Sequence, residues 1–194
     1  MISALVSFLA LATPIPGQPA PDFSEPTAEG TTVSLSDFEG KTVVLEWTND
    51  GCPFVQKHYR AQNMQRLQKR AAARQVVWLQ VISSAPGKQG FADAERAKAL
   101  NADRGAEPAH VLLDADGSMG RAYAAKTTPH MFVIDGDGIV RYNGAIDTIP
   151  TADPADLENA SNYVSAALSQ LREGGEVVTP ISKPYGCSVK YADS

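Results

Sequence analysis

Apolar, β-branched runs alternate with helical segments along the first half of the chain, and this alternation restricts the fold more than any other feature. The runs Lys41–Thr48 (KTVVLEWT) and Val76–Ile82 (VVWLQVI) predict two buried strands. One helix is predicted to begin at Cys52-Pro53, and another to cover Phe91–Arg104. Because strand-helix-strand units place their strands in parallel, the pattern predicts an α/β protein.

The second half of the chain adds strands and a last helix. A third strand is predicted at His110–Asp114 and a hairpin at Met131–Asn143, where Asp137-Gly138 favours the turn. The last helix is predicted to be capped by Asp153, and the tail Glu176–Ser194 to be loop-like. The hairpin adds an antiparallel edge, so the expected fold is a central mixed sheet flanked by helices.

The N-terminal 30 residues differ from the rest of the chain. Residues Ile2–Ala12 are uncharged and mostly apolar, and Ala10-Leu11-Ala12 fits a signal-peptide cleavage site. No Lys or Arg precedes this run, so a buried or frayed segment is the alternative. We therefore predict a signal over residues 1–12, a Pro-rich linker over 13–30 and one domain over 31–194. A signal implies export, with a periplasmic location, and its absence implies a cytoplasmic one.

Charge and cysteine content exclude several classes of function. The formal net charge is -5 and there is no basic run, which argues against a nucleic-acid partner. No apolar run approaches the roughly 20 residues of a membrane span. The two cysteines, Cys52 and Cys187, cannot form a four-thiolate zinc site, but they can form one disulfide or a reactive pair.

Cys52 lies where a predicted strand ends and a predicted helix begins. Backbone N–H groups in the first turn of a helix lack partners and favour a thiolate. The alternative is a small buried apolar residue. Because Asp50-Gly51 and Pro53 flank Cys52, a loop position and a reactive thiol are favoured.

Two segments resemble a known family. The segments are GKTVVLEWTNDGCPFVQKHY (Gly40–Tyr59) and KTTPHMFVID (Lys126–Asp135). They resemble the redoxin branch of the thioredoxin superfamily, which is also called the alkyl hydroperoxide reductase / thiol-specific antioxidant family. The resemblance implies a thioredoxin-like fold and a cis Thr128-Pro129 bond facing Cys52. It also implies that Thr128, Pro129, His130 and Pro53 contact the substrate.

The sequence departs from the motifs of this superfamily at three positions. Val55 stands where thioredoxin has its second cysteine, so exchange through an adjacent pair is impossible. Leu45 and Asn49 stand where peroxiredoxins have a proline and a hydroxyl residue, and Thr48 is one place away. We therefore expect peroxidase activity to be poor.

Cys187 is the remaining cysteine and lies in the tail, in PYGCSVKY. A thiol in a mobile tail is suited to resolve a sulfenic acid or mixed disulfide on Cys52. The alternative is a structural bridge, which on the chain-entropy model stabilises a fold by about 4–5 kcal/mol.

His58 and His130 are candidates to stabilise the Cys52 thiolate or move a proton. For His58 the favoured interpretation is a solvated or core-packed ring. For His130 this interpretation and a role beside the thiolate both remain open. Cys52, His58 and His130 together are only a weak indication of a copper or zinc site, so no metal site is predicted.

The sequence thus predicts a thiol-dependent oxidoreductase with Cys52 as nucleophile and Cys187 as resolving thiol. Its expected partners are a thiol or disulfide protein, or a small peroxide, and an external thiol reductant, with no organic cofactor. The alternative is a non-catalytic binding or metal-handling protein with a structural Cys52–Cys187 disulfide.

Overall fold

The structure is a computed structural model and describes residues 14–192. The predicted signal over residues 1–12 lies outside the described residues. Within the described part of the chain, no helix is long and apolar enough to cross a membrane. Residues 14–192 contain nine strands: β1 Ser24–Pro26, β2 Thr32–Ser34, β3 Val43–Trp47, β4 Val77–Ile82, β5 His110–Leu113, β6 Thr127–Thr128, β7 His130–Ile134, β8 Val140–Gly144 and β9 Cys187–Ser188. The same residues contain five α-helices: α1 Pro53–Arg60, α2 Asn63–Ala72, α3 Ala94–Arg104, α4 Ser118–Ala122 and α5 Tyr163–Arg172.

Five strands form the central sheet in the order β5-β4-β3-β7-β8. Strands β3, β4 and β5 are parallel, whereas β7 is antiparallel to β3 and β8 to β7. The predicted mixed sheet is therefore confirmed. The strand β3 is central and buried at every position, which explains why its sequence is apolar at every position but Glu46 rather than alternating.

Alternate residues of β3 and β7 face two different cores. Val44 and Met131 contact the helices α1, α2 and α5 on one face. Leu45 and Phe132 contact Met119 of α4 on the other face. Since Cys52 belongs to the first core, the site lies on the α1 face of the sheet.

The predicted linker contains ordered structure. Strand β1 pairs with β2, and Phe23 is buried in the core beside Tyr123. Gly17 N–H donates to the Val140 carbonyl at 2.8 Å, so the packing extends back toward residue 14. Closely spaced prolines favour an extended backbone, as the sequence predicted. An extended segment that carries a large apolar residue such as Phe23 can pack on the domain instead of acting as a linker.

The last helix and the tail also differ from the sequence prediction. Asp153 caps a short 3-10 helix, Pro154–Glu158, and α5 begins only at Tyr163, where the Asn162 side chain accepts from Ser165 N–H. The tail is not a loose loop, because β9 pairs with β6 and Val189 is buried.

Candidate active site

Cys52 joins the end of β3 to the start of α1. It is the N-cap residue of α1, and Pro53 occupies the first turn. Proline is tolerated there because the N–H groups of the first turn have no acceptor within the helix. Cys52 N–H donates to the Asn49 carbonyl at 3.1 Å, which closes the turn between the two elements. The predicted position at a strand end and helix start is confirmed.

Strands β6 and β9 bring the second cysteine to the first. Thr128 is paired with Cys187 in this two-residue ladder, and the Thr128-Pro129 bond is cis, as the resemblance implied. The Cys52 thiol donates to the Thr128 carbonyl at 3.0 Å, and Cys187 N–H donates to Cys52 Sγ at 3.4 Å. Both cysteines are free thiols in this arrangement.

Opposing effects act on the ionisation of Cys52. Burial of the thiol raises its pKa, because a thiolate loses hydration there. Hydrogen bonds from the Cys187 thiol, from Val55 and Cys187 N–H, and from the Thr128 side chain lower the pKa and outweigh burial. The Thr128 carbonyl can accept only from the protonated thiol, so it opposes ionisation. The balance leaves the pKa of Cys52 below its ordinary value.

The second thiol has the opposite character. Burial and the adjacent Cys52 raise the pKa of Cys187 to about 11, with only a small opposing effect of Lys190. Cys52 is fully buried, whereas Cys187 is partly exposed. The pair therefore combines a buried, acidic sulfur with an accessible sulfur that stays protonated at neutral pH.

Glycine is required between the tail strand and the cis-proline loop. Gly186 has φ +125, and a Cβ built there would lie 2.1 Å from the Thr128 carbonyl oxygen. Only a residue without a side chain permits this approach. The absence of a Cβ at Gly186 thus allows Cys187 N–H to reach Cys52 Sγ.

The four residues expected to contact substrate occupy different environments. Pro53 is exposed beside Cys52, while Thr128 and Pro129 are buried. His130 lies on the opposite face of the sheet, where its ring packs on Phe132. Met131, the next residue, belongs to the core that contains Cys52, and because successive residues of a strand face opposite ways the His130 ring points away from that core.

The hydrogen bonds of His130 explain its burial. Its Nε2 lies 2.8 Å from Asn143 Oδ1, and its Nδ1 accepts from Lys126 N–H at 3.3 Å. Burial lowers the pKa of His130 to about 4, so the ring is neutral near pH 7. The imidazole supports the strand rather than the thiol.

His58 is also a buried, neutral ring. Burial lowers its pKa to about 4, although the nearby Asp147 carboxylate opposes this shift. Its Nδ1 lies 2.9 Å from Asn63 Nδ2 and its Nε2 lies 3.4 Å from the Tyr185 hydroxyl. Within residues 14–192, no three His, Cys, Asp or Glu side chains are placed to hold a metal ion.

A buried polar cluster that the sequence did not predict lies beside the cysteines. It consists of Lys57, His58, Asp147 and Tyr185, and the Lys57 and Asp147 side chains are 0% and 1% exposed. Lys57 looks like an ordinary solvated helix residue in the sequence. The one local signal is that Tyr185 stands two residues before Cys187 in PYGC.

Asn49 replaces the hydroxyl expected near a peroxidatic cysteine, and its amide is already engaged. Asn49 Oδ1 accepts from Gly51 N–H at 2.9 Å, and Nδ2 donates to the Gln89 carbonyl at 3.4 Å. The Thr48 hydroxyl is buried without a hydrogen-bond partner among the described residues. Neither side chain has a hydrogen bond to Cys52.

One large cavity is remote from the cysteines. It has a volume of about 910 Å³, and Thr42, just before β3, lines it together with residues of α2 and α5. Cys52 follows the other end of β3. Neither cysteine lines this cavity, and of the two only Cys187 is partly exposed.

Solved structures resemble this chain over nearly its full length. A hypothetical protein from Sinorhizobium meliloti 1021 has a TM-score of 0.77 at 24% identity, covering 94% of this chain and 98% of its own. An uncharacterised conserved protein from Geobacillus kaustophilus gives the same score and identity, with 94% and 95% covered. A putative thiol:disulfide interchange protein DsbE from Chlorobium tepidum matches at TM-score 0.55 and 28% identity, with 74% and 93% covered.

Sequence comparison gives the family. No curated protein sequence matches the chain significantly. The sequence model of the AhpC/TSA family matches residues 16–143, well over half of the chain. The thioredoxin-like architecture agrees with the solved structures. The chain therefore belongs to the AhpC/TSA family and is an oxidoreductase of the thioredoxin fold.

Proposed function

We propose that this protein is a thiol-disulfide oxidoreductase in which Cys52 and Cys187 cycle between a dithiol and a disulfide. One observation carries the proposal: Cys187 N–H donates to Cys52 Sγ at 3.4 Å, although 134 residues separate the two positions in the chain. Both cysteines also bond to Thr128, which faces the active cysteine in redoxins: the Cys52 thiol donates to the Thr128 carbonyl, and the Thr128 hydroxyl donates to the Cys187 carbonyl.

Oxidation of the pair begins at Cys52. Its thiolate attacks one sulfur of a substrate disulfide, which forms a mixed disulfide and releases the other sulfur as a thiol. The Cys187 thiol then loses its proton and attacks Cys52 Sγ, which forms the Cys52–Cys187 bond and releases the second substrate thiol. Since Cys52 is fully buried in the closed dithiol, the first attack requires the tail to move aside.

Reduction of the pair begins at the exposed sulfur. A donor thiolate attacks Cys187 Sγ, and Cys52 leaves as the thiolate. This direction is favoured because the leaving thiol of lower pKa departs faster. A second donor thiol then releases Cys187, so two donor thiols become one disulfide. The lower pKa of Cys52 and the raised pKa of Cys187 both support this order.

A disulfide suits this site better than a peroxide. The Asn49 amide is bound to Gly51 and Gln89, and no hydroxyl donates to Cys52 from the place where a peroxidatic motif needs one. Cys187 is partly exposed, and movement of the tail would open Cys52 to a protein or peptide disulfide. Thiol or disulfide proteins are therefore the proposed partners.

The proposal is tested by a redox titration of the pair in glutathione and dithiothreitol buffers. Peptide mass spectrometry under non-reducing conditions measures the Cys52–Cys187 disulfide, with Cys52→Ser and Cys187→Ser as controls. We expect a potential between about -120 and -270 mV, the range of thiol oxidoreductases. A disulfide below about -300 mV whose reduction unfolds the protein would instead establish a structural bridge. A Cys52 that is over-oxidised or bridged between chains would exclude Cys187 as the resolving thiol.

We also propose that the protein works after export, in the periplasm. Support comes from the uncharged, apolar residues 2–12 and the small residues at 10 and 12. The expected result is a mature N-terminus after Ala12 in a periplasmic fraction. A full-length chain confined to the cytoplasm would contradict the proposal.

A further inference from the structure

The tail that carries Cys187 is attached to the body of the protein by the Tyr185 hydroxyl. This hydroxyl donates to Asp147 Oδ1 at 2.5 Å, and the pKa of Tyr185 is raised by burial and by Asp147, so the proton stays on the oxygen. Asp147 is itself held by Lys57, whose Nζ lies 3.2 Å from Oδ2. The acceptor of the tail hydroxyl is therefore part of a buried ion pair.

The cluster belongs to the same helix that begins at the nucleophile. Lys57 and His58 are in α1, which starts directly after Cys52. Lys57 Nζ also donates to the Ile149 carbonyl at 2.7 Å. The Tyr185 ring packs edge-on against Phe54, in the first turn of α1, with ring centroids 5.8 Å apart. Tyr185 thus ties the tail to the element that positions Cys52.

The chain between the attachment and the sulfur is short. Two residues of fully extended chain span at most about 7 Å, so Cys187 cannot move far while Tyr185 stays bound. Cys52 is fully buried in the arrangement in which this attachment is made, and Cys187 N–H lies against its sulfur. Release of Tyr185 would leave the tail held here by the short β9–β6 pairing and by the Val189 N–H bond to the Lys126 carbonyl, so opening of the tail above Cys52 would cost less.

We propose that Tyr185 is a positioning residue, which through its hydrogen bond to Asp147 holds Cys187 over Cys52. It controls how often Cys52 is exposed to an external reagent. The second consequence rests on the function proposed above: Tyr185 keeps the resolving thiol near the mixed disulfide and thereby limits the lifetime of that intermediate.

The size of the effect follows from the chemistry of the bond. A hydrogen bond to a charged group in a protein shifts an equilibrium by roughly 10- to 100-fold. Tyr185→Phe removes the hydroxyl and keeps the ring on Phe54, so we expect the open state of the tail to become at least tenfold more populated.

The test compares wild type, Tyr185→Phe and a matched control, Tyr163→Phe. Tyr163 is in α5, outside the tail, and stacks on Tyr142. The first readout is the rate of Cys52 alkylation by iodoacetamide in the fully reduced protein, resolved by peptide mass spectrometry. We expect a rise of tenfold or more in Tyr185→Phe and less than twofold in Tyr163→Phe. The second readout is hydrogen exchange at Cys187 N–H and Val189 N–H, which should accelerate in Tyr185→Phe alone.

The outcomes separate this proposal from the function on which it builds. An unchanged alkylation rate in Tyr185→Phe, or an equal rise in the control, overturns the positioning role. Oxidised glutathione supplies the third readout: Tyr185→Phe should accumulate the Cys52–glutathione mixed disulfide, which wild type converts to Cys52–Cys187. If wild type forms no Cys52–Cys187 disulfide, the proposed function fails, while the alkylation and exchange readouts still decide the role of Tyr185.

Discussion

Replacing Gly186 by alanine should separate the two cysteines without unfolding the protein. The new Cβ would lie 2.1 Å from the Thr128 carbonyl oxygen and 2.9 Å from its carbon. Both atoms are backbone, in the segment that also carries the cis-proline, so they cannot rotate away as a side chain would. The tail must therefore lift from β6.

Backbone strain sets a lower limit to the loss of the closed tail, and the packing of the tail sets an upper limit to the loss of global stability. A non-glycine residue at φ +125 is strained by about 1–3 kcal/mol even without the clash, which corresponds to roughly a 5- to 150-fold loss of the closed tail. The loss of global stability is limited by the free energy with which the tail packs, because the tail can open while the central sheet stays folded. The effect is thus expected to be local.

The assay is the equilibrium constant between dithiol and Cys52–Cys187 disulfide in glutathione buffers, measured together with the Cys52 alkylation rate. We expect the constant to fall and the rate to rise in Gly186→Ala. Gly175→Ala is the matched control, since the nearest atom to its built Cβ is 3.5 Å away and its φ is not positive. Wild-type values for both quantities in Gly186→Ala would refute the close approach of the tail as the cause of the pairing.

Three further predictions test the site and its surroundings. In Cys187→Ser protein, the rate of Cys52 alkylation as a function of pH should have its midpoint below the free-cysteine pKa of about 8.5, and a midpoint at or above this value would contradict an activated thiol. Hydrogen peroxide should oxidise Cys52 slowly, because Asn49 supplies no hydroxyl, and stopped-flow rates approaching the diffusion limit would contradict this. Burial, then Asp114 and Asp116, raise the pKa of Glu25 from 4.5 to about 7. The folded protein then binds more protons than the unfolded chain between those values, so stability should fall as pH rises through that window. Because the lowered pKa values of His58 and His130 act in the opposite direction, the contribution of Glu25 is measured as the difference in urea unfolding free energy between Glu25→Gln and wild type. This difference should shift in favour of Glu25→Gln as pH rises from 4 to 8, and a difference that does not change with pH would exclude the raised pKa of Glu25.

The position of Cys52 was predictable because its signals are local. A buried apolar strand, a turn of Asn49-Asp50-Gly51 and a proline in the next helical turn specify a strand-to-helix junction over a dozen residues. The resemblance of the Thr128-Pro129 segment added the cis bond, which the structure contains. Neither inference needed information about distant parts of the chain.

The direction of the His130 side chain could not be predicted from the local sequence. Its place next to Pro129 predicted a position near Cys52, but a strand alternates its side chains between two faces. The pairing of His130 with Trp47 and its packing on Phe132 place the ring in the opposite core. Which face each residue takes depended on the register of β7 against β3, and that register is a property of the sheet.

The sequence by itself determined the order of the five sheet strands, the mixed central sheet and the place of Cys52 between a strand and a helix, because periodicity, proline and turn residues act over short stretches. Only the tertiary structure decided that the tail packs against the site. Tyr185 reaches Asp147 across 38 positions, and Lys57 stands 90 positions before that carboxylate. Such pairs leave no period in the sequence, since they depend on how separate elements meet in space, and so the contact that brings Cys187 to Cys52 emerges only from the fold.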